Sequence, residues 1–289
     1  MADYQSQQQQ SLVGSQMMLN VALKDCQVLL KGLQALSFGE RISFNVQSSG
    51  IVLKNQQHRT CNLSFFLEWD LFECTPTIEE NFAFAVDSKG LILFLQIFGS
   101  ESHNDFNMEI DDDVANSCQL EMHYEGHGSN LELKIEKNYH ETVCSMATYE
   151  TTLDPDFEMP GNNVVNEAII DSMLKELWSE FDTLSSTLRI GFSKEEDKLS
   201  FSSESSYGKN TFSLTRDTEF ILSCKIQETK EHNYQMKMVQ KCYKALSQAN
   251  KINLRVDNNG MLSMVMMIDL DHERQAFAIF TCCALTDDA

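Results

Sequence analysis

The sequence predicts an α+β fold of two duplicated domains, each with antiparallel sheets and two helices, and three observations carry that expectation. Short runs of period-two alternation dominate the chain, the mark of half-buried strands. Apolar residues switch to helical spacing four times, twice in each half, and corresponding helices start 146 and 151 residues apart, at Asp25 and Asp171 and at Ser88 and Val239. Between the halves, residues 151–162 (TTLDPDFEMPGN) hold two of the three prolines and little periodicity, so they read as a connector. Most strands are joined by short turns, and no βα alternation continues long enough for a parallel doubly wound sheet.

Residues 1–14 are polar, with Gln7 to Gln10 in a row, and are expected to be a flexible tail. The first domain spans 15–150. Met17, Leu19, Val21 and Leu23 alternate with more polar partners as a strand; Asp25 then suits an N-cap, and Val28, Leu29, Leu30, Leu33 and Leu36 recur at helical spacing up to Phe38. Strands are expected at 41–46, 51–55, 61–66, 71–74 and 82–86, with Ser48-Ser49-Gly50 turning between the first two. Asp87-Ser88 caps a second helix, 89–98, which Gly99 stops. An acidic loop, 99–115, precedes strands at 118–124, 131–136 and 142–149.

The second domain, 163–283, repeats the plan. A strand at 163–169 leads into a helix at 171–184 with Met173, Leu174, Leu177, Trp178 and Phe181 on one face. Strands are expected at 187–192, 199–203, 210–214, 220–226 and 234–238, then a helix at 239–249. Strands at 252–256, 261–268 and 276–281 finish the domain, with Asn258-Asn259-Gly260 as a hairpin turn and 284–289 as a tail.

Composition bounds the function. The net charge is −21, from 22 Lys plus Arg against 43 Asp plus Glu, which repels a polyanion if it is spread evenly. Exposed charges are screened over roughly 8 Å at physiological salt, so a local positive face can still act. Nine cysteines, an odd number, with no secretory signal ahead of them, point to a reducing compartment. The densest apolar run, 91–98, is interrupted by Gln96 and too short for a membrane span.

Several words recur in order through residues 16–283: Ile97-Phe98-Gly99-Ser100, Asn163-Val164-Val165-Asn166 with Ile169-Ile170, Ser179-Glu180-Phe181-Asp182, Arg255 through Ser263 (RVDNNGMLS), and Cys282-Cys283. With the duplicated plan and the proline-bearing connector, this set resembles the DNA sliding-clamp (PCNA-like) family, and within it the Rad-one subunits of the checkpoint clamp, the nine-one-one complex. The resemblance implies a nuclear, heterotrimeric ring with Rad-nine-type and Hus-one-type subunits. A clamp loader would place it on double-stranded DNA at damage or stalled forks, to recruit checkpoint and repair proteins. It implies no enzymatic activity, no cofactor and no metal. The glutamine-rich start and the acidic loop depart from the pattern, and no function is carried onto them.

A clamp ring places its helices toward the duplex and joins its sheets edge to edge. Charge agrees with that division: helices 24–37 and 88–98 each carry +1, helix 239–249 carries +2 and helix 171–184 carries −3, a net of +1 that leaves −22 elsewhere. The candidate DNA-facing residues are Lys24, Lys31, Lys89, Lys175, Lys241 and Lys244; the bland reading is ordinary solvated lysines on amphipathic helices. Lys24 with Lys31, and Lys241 with Lys244, have spacings that share a helical face. Such contacts are weak and indifferent to base sequence, which suffices for a ring held by topology. The candidate subunit-interface residues are Thr142, Val143, Cys144, Ser145, Met146 and Thr148 on one edge and Asn210, Thr211, Phe212, Ser213 and Leu214 on the other, since open edges demand partners.

Two other readings are weighed. A 3′-5′ exonuclease needs carboxylates converging on metal ions roughly 4 Å apart, whereas Asp111, Asp112 and Asp113 are consecutive on a loop, where neighbours diverge. A homotrimeric replication clamp would assemble without other subunits. No phosphate-binding G-x-x-x-x-G-K-[ST] occurs. His123 and His127 read as solvent-facing residues of a hairpin, and Cys282-Cys283 as buried at a strand end.

Overall fold

The computed structural model describes residues 18–36, 39–55, 60–99, 118–137, 140–151, 159, 161–181, 185–206, 208–270 and 274–286. The glutamine-rich start, nearly all of the acidic loop with Asp111 to Asp113, and most of the connector lie outside them.

The first half begins with β1 (Leu19–Leu23) and α1 (Cys26–Ala35). Asp25 caps α1 by accepting from the Gln27 N–H at 2.9 Å, because the first-turn amides have no partner inside the helix. Then come β2 (Arg41–Gln47), β3 (Gly50–Asn55), β4 (Cys61–Glu68) and β5 (Phe82–Asp87). Asp87 caps α2 (Ser88–Phe98) through the Gly90 N–H at 2.6 Å, and Gly99 ends it by donating to Leu95 O. The half closes with β6 (Leu120–Tyr124), β7 (Leu131–Lys137), β8 (His140–Met146) and the short β9 (Tyr149–Glu150).

The second half runs β10 (Val164–Asp171), α3 (Leu174–Glu180), β11 (Thr187–Ser193), β12 (Lys198–Ser205), β13 (Gly208–Thr215), β14 (Ile221–Ile226) and β15 (Lys230–Gln235). Next come α4 (Met236–Val239), a 3-10 turn (Gln240–Cys242) and α5 (Tyr243–Gln248), then β16 (Lys251–Asp257), β17 (Leu262–Asp269) and β18 (Gln275–Cys282). The β16–β17 turn needs Gly260, whose φ of 79° suits a residue without Cβ, while Asp257 Oδ1 accepts from the Asn259 and Met261 amides.

Strand order exposes the duplication. The arrangement β1-β6-β7-β8 in the first half recurs as β10-β16-β17-β18 in the second, and β5-β2-β3-β4 recurs as β15-β11-β12-β13. The middle two fuse: β4 pairs antiparallel with β18 from Cys61↔Cys282 to Phe66↔Phe277, making one ten-stranded sheet across both halves. The helices line up over this sheet in the order α2, α1, α5, α3, each packed on the next. Gly32 lets α1 approach the sheet, since a Cβ there would lie 2.6 Å from the Phe65 ring.

Several sequence expectations are corrected. Residues 71–74 are no strand: Trp69–Leu71 form a 3-10 turn, and only Phe72 bridges, to Leu23. The run 142–149 divides, because β8 stays in the four-stranded sheet whereas Tyr149 crosses to pair with Ala85 of β5, its ring under the Arg41 guanidinium at 3.6 Å. Among the described residues of the expected helix 171–184, only Leu174–Glu180 are helical, and the helix ends before Phe181, whose ψ of 130° is extended. Strand β15 stops at Gln235, so Met236–Met238 are helical, and the expected helix 239–249 is a segmented one starting three residues earlier. Past β18 the chain is held where a tail was expected: Leu285 N–H donates to Asn233 O at 2.7 Å.

Candidate clamp surfaces

The helix row brings together most of the candidate lysines but gives them different jobs. Lys31 extends from α1, half-buried, and donates from Nζ to Leu270 O at 3.0 Å in the β17–β18 turn, so it ties the two halves together. Lys24 lies ahead of the N-cap and donates to Asp70 O at 2.7 Å. The two therefore do not share a helical face, because the helix starts only after Asp25. Lys89 is exposed on the first turn of α2, and Lys175 is half-buried on α3 beside exposed Glu176 and Glu180.

The second-half helix carries the densest positive charge. Lys241 sits half-buried on the 3-10 turn and Lys244 exposed on α5. Exposed Lys237 on α4 precedes them and was missed, because 234–238 read as a strand. The signal was present: 237, 241 and 244 follow the i, i+4, i+7 spacing of one helical stripe. Lys241 also projects its charge toward the thiols of Cys61 and Cys282, where it opposes the rise in pKa that burial imposes.

Replacing Lys31 with alanine removes the tie to Leu270 and is expected to cost about 1.5–3 kcal/mol, as for hydrogen bonds to charged groups. A urea-denaturation midpoint unchanged from wild type would show that the tie contributes nothing.

Both candidate edges lie at sheet margins. Strand β8 ends its four-stranded sheet, with Val143 and Ser145 exposed and Thr142, Cys144 and Met146 half-buried on the other face; burial raises the Cys144 thiol pKa. Thr148 lies past the strand, and its hydroxyl donates to Ser129 O at 2.6 Å in the β6–β7 connection. Strand β13 ends the other four-stranded sheet, with Asn210, Thr211 and Ser213 exposed, Phe212 half-buried and Leu214 buried. By strand order β8 is the counterpart of β18, and β13 of β4, the two strands that already pair inside the chain.

Among the described residues no group of three or more His, Cys, Asp or Glu is placed to hold a metal ion. His127 is exposed, whereas His123 is half-buried with Nε2 at 3.4 Å from Glu121 Oε2, itself near Lys134. Cys282 is buried at the end of β18 and Cys283 half-buried beyond it. No helix among the described residues is long and apolar enough to cross a membrane.

Duplicated halves, a row of helices on one shared sheet and the margin strands β8 and β13 define a protein of the PCNA-like DNA-clamp fold. The crystal structure of Proliferating Cellular Nuclear Antigen from Entamoeba histolytica superposes with a TM-score of 0.72, over 94% of this chain and 100% of that one, at 12% identity. The family model for "Repair protein Rad1/Rec1/Rad17" matches residues 18–268, and the chain belongs to that family. It is 26% identical over 252 residues to the cell cycle checkpoint protein RAD1 of Mus musculus and to that of Homo sapiens, covering 87% of this chain and 86% of each of theirs. It is 33% identical over 125 residues to the RAD1 homolog mrt-2 of Caenorhabditis elegans, covering 42% of this chain and 46% of that one. It is thus a checkpoint-family protein with a clamp fold.

Proposed function

We propose that the chain is one subunit of a heterotrimeric ring that encircles double-stranded DNA in the nucleus and serves, without catalysing a reaction, as a platform for checkpoint and repair proteins. The Rad-nine-type and Hus-one-type subunits are its partners, and a loader opens and closes the ring. One observation carries this reading: the open edges β8 and β13 are the counterparts of β18 and β4. A β8-to-β13-type contact between subunits repeats a joint the chain already makes with itself, and such repetition closes a ring when the rotation per joint divides a full turn. The lysines at 237, 241 and 244 then supply sequence-indifferent attraction to phosphates, and the acidic remainder keeps DNA off the outside.

The test uses the three co-expressed subunits and their loader. The complex is expected to stay on a nicked circular duplex and to run off once the circle is cut. Lys237→Glu/Lys241→Glu/Lys244→Glu is expected to lower the amount retained on the circle about tenfold at 0.15 M salt, because phosphate contacts scale steeply with charge. Equal retention on circular and linear DNA would sink the ring reading.

A further inference from the structure

We infer that the β8 end of the chain takes a subunit whose facing helix presents an aliphatic surface to Leu93 and Ile97 of α2, and that the β13 end takes one that brings basic or hydroxyl groups to Glu176 and Glu180 of α3. The inference rests on the ring reading and adds the chemistry of each joint.

The internal joint shows what accompanies an edge pairing. Where β4 meets β18, α1 packs against α5. In chain order α1 and α3 are counterparts, each following the first strand of its half, as are α2 and α5, which lead into the corresponding runs β6-β7-β8 and β16-β17-β18. A neighbour that adds its β13-type strand to β8 therefore brings its α3-type helix onto α2. Helix α2 is already beside that edge: a Cβ on Gly90 would lie 3.3 Å from Met146 Cε of β8, and Ile92, Cys144 and Met146 pack against the same core.

What α2 offers there is apolar. Leu93 is 56% and Ile97 58% exposed, one helical turn apart, and Phe98 is 40% exposed at the helix end. The helix holds no carboxylate, and its one charge is Lys89. A contiguous exposed aliphatic pair is the chemistry of an interface centre rather than of a face turned to a phosphate backbone.

Helix α3 offers the opposite surface: Glu176, Ser179 and Glu180 are exposed, while Leu174 and Trp178 are spent on the core. If a second copy of this chain filled the joint, Glu176 and Glu180 would be pressed toward Leu93 and Ile97. Carboxylates desolvated against aliphatic side chains are strongly disfavoured. The chain is therefore not complementary to itself. Its α2 selects a helix with aliphatic residues at i and i+4 and no carboxylate on that face. Its α3 selects a neighbour whose second helix brings basic or hydroxyl groups to Glu176 and Glu180.

The experiment co-expresses the chain with its two ring partners and measures each pairwise affinity and the mass of the isolated chain. The isolated chain is expected to be a monomer. Leu93→Glu/Ile97→Glu is expected to weaken one partner about a hundredfold or more, as for hot-spot loss, while the other binds as before. Glu176→Lys/Glu180→Lys is expected to weaken the second partner about tenfold and spare the first. The retained partner reports that each variant is folded; if the first variant does not fold, Leu93→Gln/Ile97→Gln takes its place. Both partners bound unchanged by the α2 variant, or both lost together, overturns the inference and leaves the ring reading standing; a stable homotrimer of the wild-type chain overturns the inference together with the heterotrimeric part of that reading. Failure of the wild-type chain to bind either partner overturns the ring reading itself.

Discussion

Replacing Trp178 with alanine is expected to cost about 3–5 kcal/mol, a large part of the 5–15 kcal/mol that holds an ordinary domain together. Trp178 is 1% exposed and packs edge-on against Phe181 and Phe201 with ring centroids 5.7 and 6.2 Å away. Helix α3 has seven residues and two buried anchors, Leu174 and Trp178, one turn apart. A helix that short has no stability of its own in water, so its burial supplies what its hydrogen bonds do not. Removing the indole therefore frees the helix as well as opening a cavity. Trp178→Phe is expected to cost less than about 1.5 kcal/mol, because most of the volume stays and the indole N–H, which has no hydrogen-bond partner among the described residues, is removed. Urea midpoints of the three proteins check this; equal losses for alanine and phenylalanine would show that packing of the ring is not what holds α3.

Helix α3 also shows where sequence patterning misleads. Met173, Leu174, Leu177, Trp178 and Phe181 have helical spacing, yet Phe181 reaches the core from an extended backbone. Periodicity reports which side chains are buried, and tertiary packing decides how the backbone delivers them. The strand expected at 234–238 failed for the opposite reason: Tyr234 and Met236 are both buried, two apart, but one ends a strand and the other begins a helix. Elements with local stop signals are among those that read correctly. Asp25 and Asp87 cap their helices, Gly99 ends α2, and Gly260 sits at the turn that Asn258-Asn259-Gly260 announced.

The duplication was legible because it is a matter of order along the chain. The fusion of two four-stranded units through β4 and β18 was not, since it joins residues about 215 positions apart and no local pattern encodes the pairing. The same holds for the site. Edge strands could be placed by analogy of order, whereas the tie of Lys31 to Leu270 and the exposed aliphatic pair on α2 depend on what packs beside each helix. In the sequence Leu93 and Ile97 lie within the apolar run 91–98; only the fold shows them facing outward.

The β4–β18 joint carries a sensitivity to alkali that follows from the groups packed there. Cys61 faces Cys282 across the strand pair, and Cys242 lies fully buried close to both. Burial pushes the Cys282 thiol from 9.0 up to about 12, helped by the nearness of Cys61 and Cys283, and holds Cys242 well above its ordinary value. Tyr234, whose hydroxyl donates to Gly260 O at 2.9 Å, is pushed upward as well, again mainly by burial. Each of these groups is neutral in the folded protein at a pH where the unfolded chain has lost the proton. Below pH 9 both states are neutral and the stabilisation is fully present; as pH rises toward 12 the unfolded chain ionises first and the stabilisation is lost. Cys282 alone accounts for about 1.4 kcal/mol per pH unit over that window, so about 3 kcal/mol between pH 9 and 11. The urea midpoint of the wild-type protein is therefore expected to fall steeply above pH 9, and that of Cys282→Ala more gently, whatever its stability at pH 7. Identical pH slopes would mean that the thiol ionises as freely in the fold as out of it, and that the joint between the halves is open to water.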